Sequence, residues 1–132
     1  MRILQIIDSL EAGGAERMAV NYANALSKKV EFSALVATRD EGLLLLQIEK
    51  KVNYLFLKKK RSLDLKAVFR LKIFVKQHKI EIVQAHGTSF FIAFLLKLVM
   101  PSIPILWHDH YGDSEFLKKR PSSVLKVVLP FF

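Results

Sequence analysis

Three short segments combine glycine, histidine or acidic residues in patterns that suit binding or catalysis. The first, residues 8–17, contains Gly13-Gly14 between an apolar run and an amphipathic segment. Paired glycines let backbone N–H groups approach an anion, and a helix dipole favours the same ligand. We expect a side chain there to block that approach and to strain φ. A tight turn would use the same glycines, and neither G-x-G-x-x-G nor a P-loop is present, so both interpretations stay open.

The second segment is His86-Gly87-Thr88-Ser89, which follows a short apolar run. A histidine at the end of a central strand can hydrogen-bond hydroxyl groups of a ligand or simply close the strand. We expect Thr88 and Ser89 to cap the following helix rather than to bind substrate.

The third segment, residues 108–113, is the most polar in the chain. His108 and His110 would share a face if the preceding strand continued through them. Two histidines and Asp109 raise the question of zinc, but zinc needs more ligands, and His86 is the only ready third histidine. The sequence therefore predicts no metal site.

The spacing of apolar residues predicts strands and helices that alternate along the chain. Such alternation indicates a doubly wound α/β sheet of parallel strands, in the Rossmann-like order 3-2-1-4-5, with helices on both faces. Ligands then bind at the carboxyl ends of the strands, near the switch between strands 1 and 4, where the polar segments lie. The predicted strands are 2–7, 30–38, 52–57, 81–85 and 103–107; the predicted helices are 15–28, 43–51, 62–78 with Ser62 as its cap, 89–100, and one that begins near Ser122 or Ser123.

Composition limits the class of protein. The 132 residues suffice for one domain, and a hydrophobic content of 52% excludes a disordered chain. The lack of cysteine excludes disulfides and thiolate chemistry and suits a cytoplasmic protein. We expect no secretory signal and no transmembrane segment, because Lys97, Pro101 and Pro104 interrupt the most apolar stretch, 90–107.

The net charge of +9 is concentrated in residues 50–79, where Asp64 is the only acid. Such a region attracts phosphate-rich substrates, anionic lipid or nucleic acid, or is simply a solvated surface. Nucleic acid is not expected, because no basic sheet with interleaved aromatic residues is present. The basic residues of this region are Lys50, Lys51, Lys58, Lys59, Lys60, Arg61, Lys66, Arg70, Lys72, Lys76 and Lys79.

Segments 8–17, 82–87 and 104–112 together resemble the N-terminal domain of retaining GT-B glycosyltransferases. More narrowly, they resemble the large family 4, which builds glycolipids, capsules and lipopolysaccharide. Gly-Gly-Ala-Glu-Arg at the start of a helix carries most of the resemblance, which extends over the whole chain.

The resemblance implies transfer of a sugar from a nucleotide-sugar to a glycan or lipid-linked acceptor, with retention at the anomeric carbon and without metal or cofactor. It implies that Gly13 and Gly14 face the donor diphosphate. It adds Glu16, His86 and His108 to the substrate- and donor-binding residues. The family has a cleft histidine about six residues after the proline that opens the fifth strand, here Pro104. The resemblance therefore implies that His110 is the catalytic residue that meets the donor sugar, with His108 as the alternative.

Relatives that act on membrane-held acceptors suggest peripheral attachment to the inner face of the cell membrane. Two basic segments would contact its anionic surface: Lys58, Lys59, Lys60 and Arg61, and then Lys118, Lys119 and Arg120.

The resemblance assigns residues 1–132 to the acceptor-side domain, and the apolar ending at 127–132 leads us to expect that a donor-binding domain is missing. Residues 1–132 alone should then not turn over. Two alternatives stay open: half of a sugar-nucleotide epimerase, and a non-catalytic α/β module for binding or membrane docking.

Overall fold

The computed structural model describes residues 1–61 and 63–108. This part of the chain forms a five-stranded sheet in the order β3-β2-β1-β4-β5, and neighbouring strands pair in parallel. The predicted doubly wound α/β fold and its strand order are therefore confirmed. The strands are β1 (Arg2–Ser9), β2 (Phe32–Asp40), β3 (Asn53–Phe56), β4 (Ile82–His86) and β5 (Ile105–His108); the helices are α1 (Gly14–Ser27), α2 (Leu65–Gln77) and α3 (Phe90–Val99).

The central strand β1 is buried on both faces, because its side chains alternate between two hydrophobic clusters. Leu4 and Ile6 point to one side, and Ile7 points to the other. This burial explains why the first strand is a nearly continuous apolar run rather than an alternating one.

The helices cover the two faces unequally. Helix α1 packs Ala19, Val20 and Ala23 on the face that contains Ile7. Helices α2 and α3 pack on the opposite face, where they contact each other and the Leu4–Ile6 side of β1. Each helix buries one side against the sheet and leaves the other more exposed.

One local prediction was wrong, and another was right about a short helix but not about its length or type. Helix α2 begins after Asp64, not after Ser62, because the Asp64 carboxylate accepts a hydrogen bond from the backbone N–H of Ala67 at 3.2 Å; Ser62 itself lies outside the described residues. The helix predicted over 43–51 is a short 3-10 helix, Leu43–Gln47, because only Leu44 of its residues is buried and the backbone is extended again at Ile48. The helix predicted near Ser122 also lies outside the described residues.

Among residues 1–61 and 63–108, no helix has the length and apolar character needed to cross a membrane. The stretch 90–107 instead contains α3 and most of β5, as its lysine and prolines predicted.

Helix α2 offers a matched pair of sites for testing the packing. Leu71 is completely buried in the core, and Ile73, on the same helix, is largely exposed. We expect Leu71→Ala to lower the free energy of unfolding by about 2–5 kcal/mol through the cavity that it leaves. We expect Ile73→Ala to change it by less than about 0.5 kcal/mol. Urea denaturation of both variants measures the difference, and equal losses would contradict the assigned faces of α2.

Candidate functional site

The site lies where β1 is followed by helix α1. Gly13 is the N-cap of α1 in an extended conformation, with φ −154° and ψ 173°, and no side chain caps the helix. The first intrahelical bond of this turn runs from the Arg17 N–H to the Gly13 carbonyl, at 3.0 Å. The N–H groups of the first helical turn, Gly14 to Glu16, therefore have no partner within the helix and are available to an acceptor.

The two glycines differ in what surrounds them. A Cβ built on Gly14 meets no atom within 4 Å, so this position opens into free space. A Cβ built on Gly13 would collide with the Glu16 carboxylate, which folds back over the start of the helix. Negative charge is favoured at this end of a helix, so the position of Glu16 marks where an anion is stabilised.

The expectation that a side chain would strain φ at the glycine pair was wrong. Neither Gly13 nor Gly14 has a positive φ, because they serve as the cap and first residue of a helix. Among the described glycines the positive φ belongs to Gly87, at 59°, directly after β4. Its left-handed backbone turns the chain beside the cleft, and its carbonyl accepts a hydrogen bond from the Trp107 indole at 2.9 Å.

A cleft of about 290 Å³ opens between the start of α1 and the carboxyl ends of β1, β2 and β4. This is the predicted switch point, where β1 lies between β2 and β4 and the chain departs in opposite directions. The residues that line the cleft are Ile7, Asp8, Ser9, Gly14, Ala15, Glu16, Arg39, Gly87 and Thr88.

The Asp8 carboxylate joins three parts of the cleft. It is only 6% exposed. Its Oδ1 accepts a short hydrogen bond from the Thr38 hydroxyl, and its Oδ2 accepts one from the Thr88 hydroxyl at 2.6 Å. The Arg39 guanidinium lies 3.5 Å from the same Oδ2. A buried carboxylate with this many donors fixes the positions of the groups around it.

The β2 side of the cleft is cationic. The Arg39 side chain is half-exposed. Burial lowers the pKa of Lys59 below its usual range; the Arg39 charge adds to that shift, and the Asp8 carboxylate opposes it. Arg39 and the uncapped helix end supply donors on two sides of a cleft that also contains the Asp8 and Glu16 carboxylates, and these donors suit an anionic ligand.

His86 lies in a layer of aromatic rings on the α1 face of the sheet. It is completely buried and does not line the cleft. Its ring accepts a hydrogen bond from the Ser89 backbone N–H, and its Nε2 lies 2.6 Å from Gln5 Oε1. Both ring nitrogens are thus engaged by protein groups, and the role of His86 in donor binding stays a prediction.

The same layer contains His108, which is the last residue of β5. Its ring stacks on His86 with a centroid distance of 4.8 Å and an angle of 10°. Tyr22 of α1 contacts both rings, at 5.8 Å from His86 and 5.5 Å from His108. The layer ties β5 to the centre of the sheet immediately before residue 110, which lies outside the described residues together with 109 and 111–132.

The prediction for the start of α3 was right for the position of Ser89, which is the N-cap residue, and wrong for Thr88 and for capping by a side chain. A 3-10 turn, Gly87–Ser89, precedes α3, and the Thr88 hydroxyl donates to Asp8. The Ser89 hydroxyl accepts from the His86 backbone N–H and lies 2.9 Å from the Ile6 carbonyl. Neither side chain caps α3 because both bind other elements.

The structure brings some of the predicted site residues together and adds others. Gly14 and Glu16 line the cleft, and Gly13 is the adjoining cap. Sequence reasoning missed Asp8, Arg39 and Thr88. Their available signal was position, since Asp8 and Arg39 directly follow predicted strands and Thr88 lies in the turn after another. Within the described part of the chain, no group of three or more His, Cys, Asp or Glu side chains is arranged to hold a metal ion.

Comparison with known proteins identifies a family that matches most of the chain. The family model described as Glycosyltransferase Family 4 matches residues 12–131. The matched region includes the glycine pair, the cleft residues of β2 and β4, and the segment after β5. A search of curated proteins found no match to the chain.

The hydrogen bonds to the Asp8 carboxylate predict that its removal destabilises the fold. We expect Asp8→Ala to lower the free energy of unfolding by about 1–3 kcal/mol, because the hydroxyls of Thr38 and Thr88 lose their buried acceptor. Asp40→Ala is the control, since Asp40 is exposed at the end of β2; it should cost less than about 0.5 kcal/mol. Chemical denaturation gives both values. Similar losses for the two variants would show that Asp8 does not organise the cleft.

Proposed function

This chain belongs to Glycosyltransferase Family 4, and from this membership we propose that it forms the acceptor-side wall of a GT-B active site. The reaction is transfer of a sugar from a nucleotide-sugar to a glycan or lipid-linked acceptor. The anomeric configuration is retained, and neither metal nor cofactor takes part.

The observation that carries this proposal is the uncapped start of α1 at the cleft. Sugar transfer from a nucleotide-sugar releases a nucleoside diphosphate, and negative charge develops on its leaving phosphate. Preorganised backbone N–H groups stabilise such charge, as an oxyanion hole does. Gly14 leaves the approach to these N–H groups open, and Arg39 supplies a cation in the same cleft.

The cleft is small compared with a whole nucleotide-sugar, which supports the proposal of a second domain. At about 290 Å³ the cleft is at the low end of small-ligand sites, whereas a nucleotide-sugar also carries a base, a ribose and a sugar. We propose that residues 1–132 bind the acceptor and contact the diphosphate from one side. A donor-binding domain would hold the nucleotide from the other side.

His110 is the proposed catalytic residue of the chain. It would hydrogen-bond and position the donor sugar in the cleft. Its segment follows β5, whose last residue, His108, is stacked on the buried His86 in the histidine layer. This layer supports the start of the segment, so that His86 and His108 contribute to the site by holding it in place.

We further propose that the enzyme acts in the cytoplasm, peripherally at the inner face of the cell membrane, in the synthesis of lipopolysaccharide or capsule. The support is the basic loop after β3, where Lys58, Lys60 and Arg61 are exposed. Lys59 in the same loop is half-buried beside Arg39. Lys118, Lys119 and Arg120, the second proposed contact, lie outside the described residues.

The function is tested by incubating full-length protein with a panel of UDP-, GDP- and ADP-sugars and a membrane extract that supplies acceptors. Release of nucleoside diphosphate coupled to a glycosylated product is expected, and EDTA should leave its rate unchanged. The anomeric configuration of the product tests retention. Failure to release any nucleoside diphosphate across the panel would overturn the proposal.

Substitution at Gly14 tests the role of the helix start. Since a Cβ at Gly14 meets no atom within 4 Å, we expect Gly14→Val to fold with stability within about 0.5 kcal/mol of wild type. Its side chain would nevertheless block the diphosphate, so kcat/KM should fall at least about 100-fold. Ala12→Val, at an exposed position before the pair, is the matched control and should keep full activity. A folded and fully active Gly14→Val enzyme would show the pair to be only a turn.

A pair of histidine variants tests the segment after β5. His110→Ala should lower kcat by about 10- to 1000-fold, the scale of one positioned hydrogen bond to the reacting sugar. It should leave the melting temperature nearly unchanged. His108→Ala should lower the melting temperature instead, because its ring is stacked on His86 within the fold. Loss of activity in His108→Ala alone, with normal stability, would exchange the two roles.

A further inference from the structure

Helix α2 has an apolar stripe on the side that does not pack on the sheet. Its core side contains Ala67, Val68, Leu71 and Val75. On the other side, Leu65, Phe69 and Ile73 are 58%, 50% and 61% exposed. They are spaced four residues apart and so lie on one line along the helix. We call these three residues the α2 stripe; such an exposed row of large apolar side chains marks a surface that binds something.

Cations border the α2 stripe. Lys66 and Lys76 are exposed on the same helix, and Lys72 is partly exposed. No acidic residue occurs between Leu65 and Gln77. The nearest acid, Asp64, accepts hydrogen bonds from the backbone N–H groups of Lys60 and Ala67, and these bonds hold its pKa below the usual range. The carboxylate is thus occupied at the helix cap and faces the same basic loop.

We propose that the α2 stripe docks on the surface of an anionic lipid bilayer. Leu65, Phe69 and Ile73 would enter the boundary between headgroups and acyl chains, and the bordering lysines would contact lipid phosphates. A helix that lies flat in the interface is bound both by the burial of its apolar side chains and by the attraction of its cations to anionic lipids. This inference deepens the membrane attachment proposed above and does not depend on the transfer reaction.

Charge decides between the bilayer and a second copy of the chain. Two copies that joined through α2 would bring the same lysines together on both sides of the contact, with no acid on either helix to offset them. An anionic bilayer presents the opposite sign over its whole surface, and it can cover a helix face that has no groove. The bilayer is therefore the occupant that fits both the apolar row and its cationic border.

The test uses full-length protein and sedimentation with vesicles of phosphatidylcholine alone or mixed equally with phosphatidylglycerol. Binding to the mixed vesicles is expected, with little binding to the neutral ones. The double variant Phe69→Ser/Ile73→Ser should bind the mixed vesicles at least about tenfold more weakly, since it removes two inserting side chains. Its melting temperature should match wild type, because both side chains are exposed.

A matched control makes the same apolar-to-serine substitutions at a different exposed site. Leu43 and Leu46 on the 3-10 helix are also exposed, at 74% and 85%. Leu43→Ser/Leu46→Ser should therefore bind vesicles as wild type does. To test the contribution of charge, Lys66→Gln/Lys76→Gln removes two lysine charges. This variant should bind the mixed vesicles at least about fivefold more weakly, and its binding should depend less on salt.

Three outcomes would overturn the inference: no binding to the mixed vesicles, equal weakening by the two serine pairs, or a concentration-dependent dimer that only Phe69→Ser/Ile73→Ser disrupts. The last would make a second copy the occupant. Titration of each variant with UDP and GDP separates this inference from the proposed function. A protein that binds a nucleoside diphosphate but no vesicle refutes the docking alone, and one that binds vesicles but no nucleoside diphosphate refutes the transferase site alone.

Discussion

The buried carboxylate of Asp8 is the contact on which the cleft depends. It lies at the end of the central strand and accepts hydrogen bonds from Thr38 at the end of β2 and Thr88 in the turn after β4. The cost of burying a charge is large, and it is recovered only because these donors and Arg39 surround it. The carboxyl ends of three adjacent strands are thereby held together around one charged group.

This constraint determines what the cleft can bind. The Asp8 carboxylate is occupied by hydroxyls and a guanidinium, so the uncapped N–H groups of α1 are the free donors of the cleft, and Glu16 is the second carboxylate that lines it. Free N–H donors at a helix start favour a phosphate ligand. Since a diphosphate is the leaving group in transfer from a nucleotide-sugar, the electrostatics agree with membership in Glycosyltransferase Family 4.

The two faces of the sheet carry different features of the domain. On the α1 face, the His86–His108 stack and Tyr22 tie β5 to the sheet beside the cleft. On the other face, α2 buries one side in the core and turns the α2 stripe outwards. Because the two helices cover opposite faces, the surface proposed to meet the bilayer does not compete with the cleft for the same residues.

The local pattern of the sequence determined the elements and their order in the sheet. The sequence shows an apolar run before a glycine pair, helical spacing of apolar residues after it, and strands that alternate with helices along the chain. These signals were enough to predict the parallel fold and the position of the cleft at the ends of β1 and β4. These signals lie within a few residues of one another. The tertiary structure alone decided which side chains meet, because the partners of Asp8 are 30 and 80 residues away and Gln5 lies 81 residues from His86. Strand register sets those contacts, and a shift of one residue would turn every side chain to the opposite face. For the same reason, no local pattern separated the packed side of α2 from the stripe that it leaves exposed.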